Sequence, residues 1–206
     1  MSNVVRDELI TINLTTKSIT GDKLRELLEF CYKISNKVSI CQMGNNGMTL
    51  EEAKKAIDKY NNSLKAMELP TLSYEIDKSS KPFISSEDGI KSYVKENLSN
   101  YKLIKRIVTC TTACTYGPIQ VMYFFELEDN IKKTFKKMKD IFEAVIHKDE
   151  KDFLLEDPAF YNNKQYVLII NSREKYGTLF LTESQYDEFK KLGIEHKMGY
   201  DFNSAY

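Results

Sequence analysis

The chain has two histidines, four cysteines, no tryptophan, no net charge and no long apolar run. A membrane-spanning helix needs about 18 successive apolar residues, and no stretch of the sequence approaches that. The opening MSNVVRDELITINL is interrupted by Arg6, Asp7 and Glu8 before the apolar core of a secretory leader can form, so a cytoplasmic protein is expected. In that compartment Cys31, Cys41, Cys110 and Cys114 are expected to stay reduced. Thirty basic residues balance thirty acidic ones. This argues against a general nucleic-acid binder, because phosphate neutralisation supplies much of such a protein's affinity. The sequence also lacks G-x-S-x-G, H-E-x-x-H and D-x-D-x-D-G patterns, and so the nucleophile, zinc and calcium sites they carry. No fixed-period repeat marks a solenoid.

What is present describes an ordinary globular chain. Of 206 residues, 42% are hydrophobic and 29% charged, with 13 Tyr and 11 Phe. That length can bury a sizeable core without a metal or disulfide. Residues 8–14 alternate, with Ile10, Ile12 and Leu14 on one side, and predict a half-buried strand. Thr20 is a candidate N-cap for a helix whose stripe is Leu24, Leu27, Leu28, Cys31 and Ile34. Residues 38–43 read as a strand and GNNG (44–47) as a turn. Thr49 and Glu52 read as a capping box opening a helix striped by Leu50, Ala53, Ile57, Tyr60, Leu64 and Met67. A strand is expected at 71–77, and a helix capped by Ser85 or Ser86. Strands at 102–115 and 120–127 form a hairpin across Gly117-Pro118. A long amphipathic helix is expected over 129–146, with Ile131, Phe135, Met138, Ile141, Phe142 and Val145 inward. Residues 147–164 read as irregular. Strands at 165–170 and 177–182 follow, then a helix opened by Thr182 and Gln185 and closed at Gly193.

Half-polar strands argue against a parallel sheet covered on both faces. The expected fold is α+β: a mixed, mostly antiparallel sheet with amphipathic helices packed chiefly on one face, in two layers. The chain is expected to be a single domain over 1–206, with the Ser-rich segment 78–88 as the place where an internal boundary would fall. The opposite sheet face is expected to be partly open to a partner, a ligand or a second copy.

Cys110 and Cys114 are the most conspicuous candidates for chemistry. In an extended backbone of about 3.3 Å rise per residue they stand roughly 13 Å apart. That is too far for one zinc ion or one disulfide, and the preferred reading is strand residues near a hairpin end. No metal and no cofactor are expected. The MGNNGMT loop lies between strand and helix, where phosphate loops lie, but its spacing fits no phosphate-binding motif, and Glu51 and Glu52 would repel an anion. The basic run KKTFKKMK (132–139) is flanked by Glu128, Asp129, Asp140 and Glu143 at helical spacing, which reads as a salt-laced solvated face. His147 is placed at a helix end, and His196 has no motif around it.

Two functions follow. The first is a non-catalytic cytoplasmic binding or regulatory protein, whose partner is another protein or a second copy. It would use the open sheet face, or aromatic anchors at Phe153, Phe160, Tyr161, Tyr200, Phe202 and Tyr206. The alternative is a small enzyme with a cysteine or carboxylate site at the hairpin end, drawing on Cys110, Cys114, Tyr116 and His196.

Overall fold

The computed structural model describes residues 9–43, 47–72, 83–110, 119–143 and 155–199. In chain order these form β1 (Ile10–Leu14), α1 (Gly21–Ile34), β2 (Lys37–Met43), α2 (Leu50–Ala66), α3 (Glu87–Leu98), β3 (Leu103–Cys110), β4 (Ile119–Glu126), α4 (Asp129–Phe135), β5 (Leu155–Asn162), β6 (Gln165–Asn171), β7 (Tyr176–Leu181), α5 (Glu183–Lys190) and β8 (His196–Met198). The strands make one eight-stranded sheet in the order β3-β4-β2-β5-β6-β7-β1-β8. Every ladder of defined register is antiparallel.

By its contacts the chain divides into two units: Met1–Val38, Ile131–Ala144 and Asp157–Tyr206 form the first, and Ser39–Asn130 with Val145–Glu156 the second. The segment 78–88 falls inside the second unit rather than between the two.

In the first unit, period-2 and period-3.6 patterns meet on one core. Ile12 and Leu14 of β1, Leu179 and Leu181 of β7, and Leu168 and Ile170 of β6 are buried, as are Leu24, Leu27, Leu28 and Cys31 of α1. Aromatic rings join the helices to the sheet. Phe160 of β5 lies 5.3 Å from Phe135 and 6.1 Å from Tyr32, centre to centre, and Phe30 lies 5.8 Å from Phe189 of α5. Gly177 lets β7 close on the core, since a Cβ there would stand 2.6 Å from Leu14 and 3.0 Å from Ile170. The last helix carries the expected capping box of Thr182 and Gln185, and Gly193 has a positive φ just past its end.

The long helix expected over 129–146 stops at Phe135. Only a 3-10 turn, Ile141–Glu143, follows among the described residues. The cause is Asp140. Its buried carboxylate accepts hydrogen bonds from the backbone N–H of Ile19 (3.2 Å) and of Phe142 (3.1 Å), and from the Ser18 hydroxyl. A short acidic side chain that binds backbone N–H groups competes with the helix ladder, and here it ties the chain back to the start of α1 through a Thr20–Asp140 bridge. Ile131, Phe135, Ile141 and Phe142 are nevertheless buried as expected. The basic run is laced differently from the expected i, i+4 pairs. Lys136 pairs with Glu29 of α1 (3.0 Å), and the Lys132 ammonium lies 5.5 Å from the centre of the Tyr32 ring.

In the second unit, β4 alternates cleanly: Ile119, Val121, Tyr123 and Phe125 are buried, and the residues between them half-exposed. It pairs with β3 as the predicted hairpin. The capping box of Thr49 and Glu52 opens α2, and Ser86 caps α3 by accepting from the Gly89 N–H at 3.2 Å. Met67, expected on the buried stripe of α2, is instead its C-cap and is exposed. Residues 155–162, expected to be irregular, form β5. The expected strand at 71–77 lies mostly outside the described residues.

Candidate functional site

Cys110 is the last residue of β3 and stands opposite Ile119. Arg106, Val108 and Cys110 share the face of Tyr123, Val121 and Ile119, the buried face of β4. Burial therefore raises the Cys110 thiol above its ordinary pKa. A nucleophilic cysteine needs the opposite shift, produced by a nearby cation or helix N-terminus. Cys31 is raised by the same cause, inside the first unit's core. Both ring nitrogens of His196 are engaged within the first unit, Nδ1 with the Ile194 carbonyl at 2.7 Å and Nε2 with the Tyr186 hydroxyl at 3.2 Å. Its ring sits edge-on to Phe189 at 5.2 Å. Cys114, Tyr116 and His147 lie outside the described residues. Among the described residues no group of three His, Cys, Asp or Glu side chains could hold a metal ion.

The loop before α2 has a structural role. Arg106 reaches from β3 to Glu52 with two hydrogen bonds, 2.6 and 3.0 Å, and donates two more to the Gly47 carbonyl. Glu52 also accepts from the Thr49 N–H at 2.8 Å. Hydrogen bonds from Arg106 foremost, then from Thr49, hold its carboxyl below the usual value. Tyr123 donates to Gln42 at 2.9 Å, and Gln42 donates to the Tyr93 hydroxyl at 2.6 Å. Gly47 has φ +78°, and a Cβ there would stand 2.5 Å from the Tyr123 hydroxyl. The glycine is thus required by backbone conformation and by space. A cleft of about 580 Å³ lies beside this cluster, between the first turns of α2 and α3, lined by Leu50, Phe83, Ile84 and Ile90 among others. Among its ionic groups Glu51 pairs with Lys55, Glu52 with Arg106 and Lys91 with Asp88, and Glu87 also lines it.

The first unit's sheet carries a more distinctive surface. Phe160 pairs with Leu168, but Tyr161 pairs with Tyr166, so Val167 is an extra residue on β6. Such a bulge reverses the side-chain alternation beyond it. Phe160 and Tyr161, successive on β5, point to opposite faces, Phe160 towards the helices, and the bulge brings Tyr166 round to the face of Tyr161. There the Tyr166 ring lies 4.7 Å from Tyr161 and 6.4 Å from Phe180 of β7. Phe180 stands opposite Thr11 on β1. One step along, the Tyr176 hydroxyl (2.6 Å) and the Thr178 hydroxyl (2.9 Å) both donate to the Asn13 Oδ1. Lys197 of β8 is opposite Asn13. Tyr166 and Tyr176 are each 42% exposed, whereas Tyr161 is 6% exposed. This face combines large rigid rings with hydroxyl and amide groups held in fixed positions.

Of the expected aromatic anchors, Phe160 is fully buried against α1 and α4, and Tyr161 forms the buried end of the row. Phe153, Tyr200, Phe202 and Tyr206 lie outside the described residues. Tyr166, Tyr176 and Phe180 were not singled out by sequence reasoning. The alternation of Tyr176, Thr178 and Phe180 against Gly177, Leu179 and Leu181 was the available signal.

Comparison with family models, with curated proteins and with solved structures finds no match for this chain. Among the described residues no helix is long and apolar enough to cross a membrane.

Proposed function

We propose that this is a non-catalytic cytoplasmic binding protein that acts through protein–protein contacts. Its contact surface is the half-open sheet face bearing Tyr166, Phe180 and Tyr176, and its partner is another protein. The observation that supports this reading is the pair of tyrosines, each 42% exposed, on a row otherwise packed and hydrogen-bonded. Tyrosine buries much area at small entropic cost and is common among interface hot spots. The reading takes the helices to lie chiefly on the opposite side of the sheet, in two layers, and the contrast between Phe160 and Tyr161 supports that arrangement. A chain with no net charge suits a protein partner better than a phosphate polymer. The alternative, a small enzyme with a cysteine or carboxylate site at the hairpin end, has against its cysteine form the raised thiol of Cys110.

The test is a photo-crosslinker placed at Tyr166 in cells, followed by titration of the captured protein, made recombinantly, with the full chain. Saturable binding that weakens about tenfold or more in the Tyr166→Ser, Tyr176→Ser double variant, with an unchanged circular dichroism spectrum, supports the proposal. A partner bound equally by the double variant, or no saturable partner, removes it.

A further inference from the structure

We infer that β3 is a self-pairing strand: two copies of the chain join edge to edge through β3, antiparallel, about a twofold axis centred on Ile107. The strand ends the sheet order, and its one neighbour among the described residues is β4. An edge strand presents a row of free N–H and C=O groups, and proteins blunt such edges with lysine, proline, bulges or short length. β3 is eight residues long and has no proline. Its two basic side chains are both occupied elsewhere. The Lys105 ammonium sits 4.4 Å from the centre of the Phe124 ring on the outer face, and Arg106 is turned inward to Glu52 and Gly47. The bulge at Ile104 disturbs the strand's first turn alone, and from Lys105 to Cys110 the ladder is regular. Ile104 and Ile107 meanwhile stand 41% and 39% exposed.

The register selects a second copy as the occupant. Opposed residues in an antiparallel pair share a sheet face, and a twofold axis through one residue sets its neighbours against each other symmetrically. Centred on Ile107, the outer face sets Ile107 against its own copy and Lys105 against Thr109, while the inner face sets Arg106 against Val108. No like charges meet, and the regular pairing runs from Lys105 to Thr109. Centred on Arg106 or Lys105, two cations would oppose each other, which destabilises a ladder. Centred on Val108, the exposed Ile107 would meet Thr109 instead of its own copy, and Lys105 would have no opposed residue within β3. A chain of zero net charge adds no general repulsion between copies. Phe124 and Met122, beside Lys105 and Ile107 on the outer face, widen the apolar contact. This inference does not rest on the aromatic face described above.

Sedimentation velocity of the full chain over about a hundredfold range of concentration tests it. The expected result is a reversible shift from monomer to dimer. Ile107→Lys should hold the chain monomeric, since it sets two lysines face to face. Thr109→Glu, meeting the partner copy's lysine at position 105, should lower the dimer midpoint by about threefold at low salt, and Thr109→Lys should raise it; both effects should fade at high salt. Ile107→Cys should cross-link to its own copy on oxidation, identified by peptide mass spectrometry, because opposed Cα atoms about 4.5 to 5.5 Å apart are within disulfide reach. A monomer at every concentration overturns the inference, as does a dimer indifferent to the Ile107 and Thr109 changes. A dimer lost instead in the Tyr166→Ser, Tyr176→Ser variant would move self-association to the aromatic face and overturn it equally. Chemical denaturation of each variant separates lost association from lost folding.

Discussion

Arg106 and Glu52 show how one ion pair can tie three pieces of structure. The carboxylate completes the cap of α2 while the guanidinium holds β3 and the Gly47 carbonyl. Because the folded state holds the Glu52 carboxyl below its ordinary 4.5, the stabilisation is complete above that pH and is lost as pH falls through the lower, folded value. Glu52→Gln keeps a capping amide but leaves the largely buried Arg106 without a counter-charge. We expect it to cost about 1–2 kcal/mol at neutral pH, a figure reduced for the partial exposure of Glu52. The gap to wild type should close in acid. Urea unfolding of both proteins at neutral pH and well below pH 4.5 checks this, and a gap independent of pH would refute it. Sequence spacing makes the capping box legible. It cannot indicate Arg106, which is more than fifty positions away and reads as one more charge on a strand.

Local preference and tertiary demand collide in the segment after β4. The apolar spacing of Ile131, Phe135, Met138, Ile141 and Phe142 is that of a continuous helix, and four of those residues are buried as the spacing implies. The backbone nevertheless leaves the helix, because the Asp140 carboxylate serves N–H groups on both Ile19 and Phe142. Asp140→Ala would strand those buried donors and should destabilise the protein by about 2–4 kcal/mol. Asp140→Asn, which retains one acceptor oxygen, should cost less. Denaturant midpoints of the two variants decide the point, and equal losses would show that the carboxylate charge, rather than its acceptor geometry, matters. A similar conflict governs β5 and β6. The residues around Phe160 read as irregular, yet they complete the sheet. The bulge at Val167 that turns Tyr166 outward leaves no mark in the sequence, since an extra residue in a strand is a relation between two strands.

At the scale of the whole molecule, the balance of charge governs behaviour in solution. With thirty charges of each sign and an isoelectric point near 6.8, copies repel least close to neutral pH. Solubility should pass through a minimum, and light scattering through a maximum, near pH 6.8, with both relieved on either side. A profile flat from acid to alkaline pH would contradict this. The same balance means that the proposed contacts rest on short-range groups, namely exposed isoleucine, tyrosine and a backbone edge.

The amino-acid order by itself determined the elements whose signals are local: the periodic stripes of α1 and α2, the capping boxes at Thr49 and Thr182, the hairpin of β3 and β4, and the α+β class. These depend on residues within a turn or two of each other, where spacing alone decides which groups meet. Strand order, the early end of α4, the inward turn of Arg106 and the outward turn of Tyr166 were decided only in the tertiary structure. Each is settled by a partner distant in sequence, and the free energy that selects it does not exist until the chain has closed on itself.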